Sequence, residues 1–202
     1  MASVYDLKPK FQDLLRSIVV HLAENNVTAN QVTIAALVLS FATGGLLIRF
    51  AGTTPILLFL PLVLFVRMAL NAIDGMLARE HHMKTPLGAI LNELGDVFSD
   101  AALYLPLALF DGFNFGLIAL IVILAVISEM TGVIGLQIGA SRRYDGPMGK
   151  SDRAFVFGAI GFLYGFGILP AGWLGLIQWL MMILLIVTIV NRCRRALAEV
   201  GS

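Results

Sequence analysis

Polar and apolar positions along the chain fall into two kinds of segment. In residues 4–24, Leu7, Phe11, Leu14, Leu15, Ile18 and Leu22 recur at helical spacing, while Lys8, Asp13 and Arg16 lie elsewhere on the wheel. Such a stripe, too charged to span a bilayer, predicts an amphipathic helix lying in the headgroup layer. Beyond it come six apolar stretches: 30–50, 55–79, 87–110, 114–138, 153–169 and 171–191. A bilayer-spanning helix needs about 20 apolar residues, so each stretch reads as one span. Turn residues separate them at Gly52 to Pro55, Thr85-Pro86, Asp111-Gly112 and Pro170-Ala171-Gly172. The longest polar break, 141–153, holds Arg142, Arg143, Tyr144, Asp145, Lys150, Asp152 and Arg153. The pattern predicts an all-α integral membrane protein with a single membrane domain over 1–202. Its parts are the interfacial helix 4–24, a six-span bundle 30–191 and a tail 192–202.

Composition agrees. Of 202 residues, 58% are hydrophobic and 13% charged, against about 45–50% and about 25% in a soluble domain. A disordered chain is excluded and a soluble α/β enzyme argued against. The net charge of +1 leaves no basic face for a duplex, so nucleic acid is not an expected partner. Asp6, Lys8, Lys10, Asp13 and Arg16 occupy the place of a signal-peptide apolar core. The single cysteine, Cys193, has no internal partner for a disulfide.

Charge also sets topology. With the N-terminus inside, the cytoplasmic side receives Lys8, Lys10, Arg16, Arg79, Lys84, Arg142, Arg143, Lys150, Arg153, Arg192, Arg194 and Arg195. Of the 14 Lys and Arg, only Arg49 and Arg67 fall elsewhere. The positive-inside rule therefore predicts six spans with both termini cytoplasmic.

Ionisable residues inside spans are costly and mark function by default. Here they are Arg67, Asp74, Glu93, Asp96, Asp100 and Glu129. Asn71 and Asp74 share one face of the second span; Asn92, Asp96 and Asp100 share one face of the third. Two antiparallel helices would bring these oxygen rows together just below the cytoplasmic surface. Clustered carboxylates repel unless a cation joins them, and hard divalent cations prefer oxygen. Interhelical hydrogen bonding without a metal is the alternative. Arg67 is expected to pair with Asp100, Glu129 or both, in a buried network beneath that site.

These residues carry a resemblance. The chain reads N-A-I-D-G-M-L-A-R, then E-H-H-M-K-T-P-L, then G-A-I-L-N-E-L-G-D over residues 71–96. It resembles the signature D-x2-D-G-x2-A-R-x8-G-x3-D-x3-D of the CDP-alcohol phosphotransferase (CDP-alcohol phosphatidyltransferase) family. Asp74, Gly75, Ala78, Arg79, Gly88 and Asp96 match at the required spacing, while Asn71 and Asn92 stand where the family has aspartate. V-T-A-N-Q-V-T, residues 27–33, also looks like the family's approach to the first span. The resemblance implies transfer of a phosphatidyl group from CDP-diacylglycerol to a small polar alcohol in phospholipid synthesis, with release of CMP. It implies one or two divalent ions, Mg2+ or Mn2+, held by Asn71, Asp74, Asn92 and Asp96, with Asp96 as catalytic base. Asn30, Thr33, Asp74, Gly75, Ala78, Arg79 and Gly88 would bind the CDP moiety. It further implies a homodimer among membrane lipids, in a bacterial inner membrane, with the active site facing the cytoplasm.

Arg142, Arg143, Lys150 and Arg153 would gather at the cytoplasmic mouth and suit a phosphorylated acceptor such as glycerol 3-phosphate. Positive-inside topology alone also accounts for them. Two neutral amides in place of carboxylates keep a second reading open: a weakened relative acting as a lipid-binding or accessory membrane protein. A secondary transporter with Asp74, Asp96 and Glu129 as relays would need paired interrupted helices, which the pattern lacks. His81 and His82 are adjacent on a polar turn and diverge. Gly158, Gly161 and Gly165 suit close helix packing, between copies or within one chain.

Overall fold

A computed structural model describes residues 8–201, all helical or connecting, with no strand among them. Seven α-helices follow in order: α1 Lys8–Glu24, α2 Ala29–Arg49, α3 Leu60–Glu80, α4 Pro86–Tyr104, α5 Phe115–Gln137, α6 Lys150–Gly165 and α7 Ala171–Val200. Short 3-10 segments, Thr54–Phe59 and Leu105–Leu109, extend α3 backwards and α4 forwards. The sequence explains where the helices start. Thr28 and Gln31 form a reciprocal capping box at α2, and the side chains of Thr85 and Asn114 accept the Gly88 and Leu117 N–H groups in the first turns of α4 and α5.

Four segments are long and apolar enough to cross a membrane: Ala29–Arg49, Thr54–Glu80, Phe115–Gln137 and Ala171–Val200. The other two of the expected six stretches fold as helices but miss that measure. α4 carries Glu93, Asp96 and Asp100, and α6 is only 16 residues long because it ends at Gly165, although it begins as early as Lys150. The expected tail is helical too: α7 runs on to Val200.

α2 packs on α3 and α4, α5 on α7, and α3 on α6. Leu57, Leu64, Leu103, Ile118, Phe157 and Leu185 anchor the shared core, with Tyr104 stacked on Phe157 at 4.1 Å between ring centres. Among helices of a bilayer such side chains contribute through close packing rather than through removal from water. Gly161 and Gly165 let α6 approach the Thr54–Phe59 segment, where an added Cβ would lie 2.9 Å from the Leu57 carbonyl and 2.8 Å from Leu58. Gly158 faces Pro61. This glycine stripe thus packs within one chain.

The amphipathic stripe of α1 divides in two. Phe11, Leu15, Val19 and Leu22 pack against α3, whereas Leu14 and Ile18 are exposed. Arg16 ties α1 to Glu80 at the end of α3, at 2.6 Å. The expected start of this helix, residues 4–7 with Leu7, lies outside the described residues.

Candidate active site

α3 runs toward its polar end at Glu80, and α4 returns from Pro86. Asn71, Asp74 and Arg79 are thereby set opposite Gly88, Asn92 and Asp96 around one cavity of about 1300 Å³. Asn30 and Thr33 of α2 close one side, and Arg142, Arg143 and Lys150 close another. Every residue expected to bind metal, CDP or acceptor lines this cavity except Arg153.

Local contacts hold the walls. Thr33 Oγ1 donates to Asp74 Oδ2 at 2.8 Å, fixing the carboxylate of α3 against α2. Asn30 Nδ2 reaches Thr85 Oγ1 at 3.4 Å, and that hydroxyl accepts the Gly88 N–H at 2.9 Å. A Cβ at Gly88 would stand 2.6 Å from Asn30 Oδ1 and displace that side chain from the cavity wall. Gly75 leaves room for the Arg79 guanidinium, which folds back to within 3.2 Å of where a Cβ would be. The cationic loop is laid close on α5 and α7: added Cβ atoms would lie 2.6 Å from the Arg143 carbonyl at Gly132 and 2.6 Å from Thr188 at Gly146. Its cations have acidic partners. Arg142 meets Glu93 at 2.6 Å, and Arg143 meets Asp145 at 2.7 Å and Glu199. The hydrogen bond to Asp145 holds Arg143 above the usual guanidinium range.

The fit to a divalent ion turns on Asp74. Its Oδ1 is buried without a hydrogen-bond partner, and so is the neighbouring Asn71 Nδ2. A buried, unpaired carboxylate oxygen is costly, and a hard cation is the partner that relieves it. Asp96, 18% exposed, is paired with the Lys150 ammonium. Among the described residues no group of three or more His, Cys, Asp or Glu is placed to hold a metal. Amide oxygens would have to complete any ligand set, and the site fits an ion on those terms.

A continuous ion ladder runs from the cavity wall, where it includes Glu129, Arg142 and Arg192, into the helix bundle. Arg67 donates to Asp100 Oδ1 at 2.6 Å and to the Asp96 carbonyl at 3.1 Å. Arg153 donates twice to Asp100 Oδ2, at 3.0 and 2.8 Å, and once to Glu129 at 3.1 Å. Glu129 also faces Arg192 at 3.4 Å and Arg142 at 3.5 Å. Arg67 therefore meets Asp100 as the sequence predicts, but Glu129 belongs to Arg153. Arg153 itself is 1% exposed, a rung of this ladder rather than part of the mouth. Sequence reasoning missed Arg192, also 1% exposed, whose guanidinium donates to the Ser128 carbonyl. Helical continuation past residue 191 was the signal available for it.

The profile of one family, CDP-alcohol phosphatidyltransferase, matches residues 26–190. The chain belongs to the CDP-alcohol phosphatidyltransferase family. Its members transfer a phosphatidyl group from a CDP-linked lipid to an alcohol. The chain is 47% identical over 195 residues to inner membrane protein YnbA of Escherichia coli (strain K12), covering 96% of each. It shares its fold with the Mycobacterium tuberculosis phosphatidylinositol phosphate synthase PgsA1. The crystal structure of that protein with CDP-DAG bound superposes with a TM-score of 0.73 at 20% identity, covering 92% of this chain and 94% of that one. The same protein in complex with manganese and citrate gives 0.73 over 92% and 90%. With its apolar helices and an inner-membrane relative, the chain is an integral membrane member of the family.

Proposed function

We propose that the protein transfers the phosphatidyl group of CDP-diacylglycerol to a small alcohol bearing its own phosphate, such as glycerol 3-phosphate, and releases CMP. The carrying observation is the single cavity in which the signature residues of α3 and α4 face the cations Arg142, Arg143 and Lys150. In this reading α4 and α6 cross the bilayer with the other four, both termini are cytoplasmic, and the cavity opens to the cytoplasm.

Asn30, Thr33, Gly75, Ala78, Arg79 and Gly88 form the CDP side of the cavity. The two glycines allow close approach, and Arg79 offers charge-assisted hydrogen bonds to phosphate. Asp74, Asn71, Asn92 and Asp96 would hold a Mg2+ or Mn2+ ion. Bound there, such an ion supplies charge neutralisation for the pyrophosphate and the leaving phosphate. Arg142, Arg143 and Lys150 orient the acceptor phosphate. The acceptor hydroxyl oxygen bonds to the lipid-side phosphorus, and the bond from that phosphorus to the bridging oxygen of CMP breaks. The hydroxyl proton passes to Asp96, whose Oδ2 is not the oxygen taken by Lys150. Arg153 serves by fixing Asp100 and Glu129.

The test is CMP release by purified protein from CDP-diacylglycerol, with a panel of alcohols with and without phosphate. Release that requires a phosphorylated acceptor supports the reading. The scarcity of carboxylates, two where the family signature has four, favours one alternative: an accessory lipid-binding protein. Lipid binding without release under any acceptor would establish it and overturn the transferase.

A further inference from the structure

The two carboxylates of the cavity are not alike. Asp74 Oδ1 is buried and has no partner, while Oδ2 takes only the neutral Thr33 hydroxyl. Asp96 is faced by two cations: the Lys150 ammonium on Oδ1, and the Arg67 guanidinium 3.8 Å from the same oxygen. Among the described residues no cation is paired with the first carboxylate, whereas two face the second.

Lys150 is an odd residue for its place. It is the first residue of α6, where the helix dipole disfavours a cation. Its side chain nevertheless reaches across the cavity to α4, where it pairs with Asp96. The neutral amides of Asn71 and Asn92 complete the picture. Of the four signature positions 71, 74, 92 and 96, only Asp74 and Asp96 carry a full negative charge, and a second divalent ion beside Lys150 would leave an excess of positive charge there.

Resting on the transferase reading above, we infer that Lys150 is a built-in cation that takes the place of a second metal ion. The protein binds one divalent ion, at the Asp74 end, and the Lys150 ammonium occupies the Asp96 end permanently. The ammonium has three donors. One is spent on Asp96, and the others point the acceptor phosphate toward the base. The two amides remove the two negative charges that a second divalent ion would have balanced, and the ammonium supplies the single positive charge left at the Asp96 end.

Counting Mn2+ by electron paramagnetic resonance on the full-length protein in detergent tests this without turnover. The wild type is expected to saturate at one ion per chain, with the uncoupled signal of an isolated ion. Lys150→Met combined with Asn92→Asp is expected to bind a second, spin-coupled ion. Two ions in the wild type would overturn the role of Lys150 while leaving metal-dependent transfer intact. A folded double variant that still holds one ion would also overturn it. If that variant fails to fold, the wild-type count decides alone. CMP release that survives EDTA would remove the metal from the transferase reading, and this inference with it.

Discussion

Asp96 and Asp100 stand one turn apart on α4 and face the same way, yet they live in different surroundings. Asp100 is 3% exposed, and both its oxygens are claimed by arginine donors from α3 and α6. Asp96 borders the cavity, holds a lysine on one oxygen and has the other open to whatever enters. The difference teaches how a single helical stripe divides its labour. The deeper carboxylate is consumed by structure, since a buried charge must be fully paired to be tolerated. The shallower one keeps an oxygen with which to take a proton.

The largest effect that would break this comparison lies in the base. Asp96→Asn is expected to lower CMP release by about 10²–10⁴-fold, the usual range for a lost general base. Its melting temperature in detergent should stay near that of the wild type. An active Asp96→Asn protein would take the proton-accepting role away from this residue. Arg67→Leu should do the reverse. Leaving Asp100 short of a partner costs about 3–5 kcal/mol of stability, read as a lowered melting temperature, and unchanged melting would mean that the ladder carries no weight.

A smaller effect sharpens the boundary between the two regions. Arg142→Gln should raise the KM for the acceptor by about tenfold, as expected for a lost hydrogen bond to a charged group, with less change for the CDP-lipid. Arg153→Gln should lower melting before it touches either KM. Equal rises for both substrates in Arg142→Gln would return the loop to a purely topological role. The smallest expected effect belongs to Glu199→Gln. Glu199 accepts from the Ser141 N–H and hydroxyl and pairs with Arg143 on the exposed rim. Its loss should loosen the loop enough to raise acceptor KM slightly, with melting unmoved.

Much of the site was legible because its residues are local. Helical spacing puts Asn71 and Asp74 on one stripe and Asn92 and Asp96 on the facing one, and the family signature adds Gly75, Arg79 and Gly88 on the same two helices, joined by a short turn. Arg67 was legible as a charge that needed a partner. Arg153 was not, because its meaning depends on where α6 begins. A helix starting at Lys150 puts Arg153 one turn inside, turned toward Asp100 and Glu129, whereas a stretch beginning at 153 reads as the edge of a loop. Arg192 was hidden for a similar reason, since the last apolar residue does not mark the end of α7. The Lys150–Asp96 pair joins residues 54 apart, on helices whose closeness no periodicity encodes.

The ladder also bears on how the chain enters its membrane. An unpaired arginine, aspartate or glutamate inside a span costs about 2.5–3.5 kcal/mol on insertion. Arg67 finds Asp100 33 residues further on, in the very next long helix. Glu129 finds Arg153 24 residues further on, again in the next helix. Arg67 of α3 and Glu129 of α5 thus each meet a counter-charge in the helix that follows along the chain. Arg192 of α7 arrives last and closes the assembly, so order of synthesis and order of neutralisation run together along this chain.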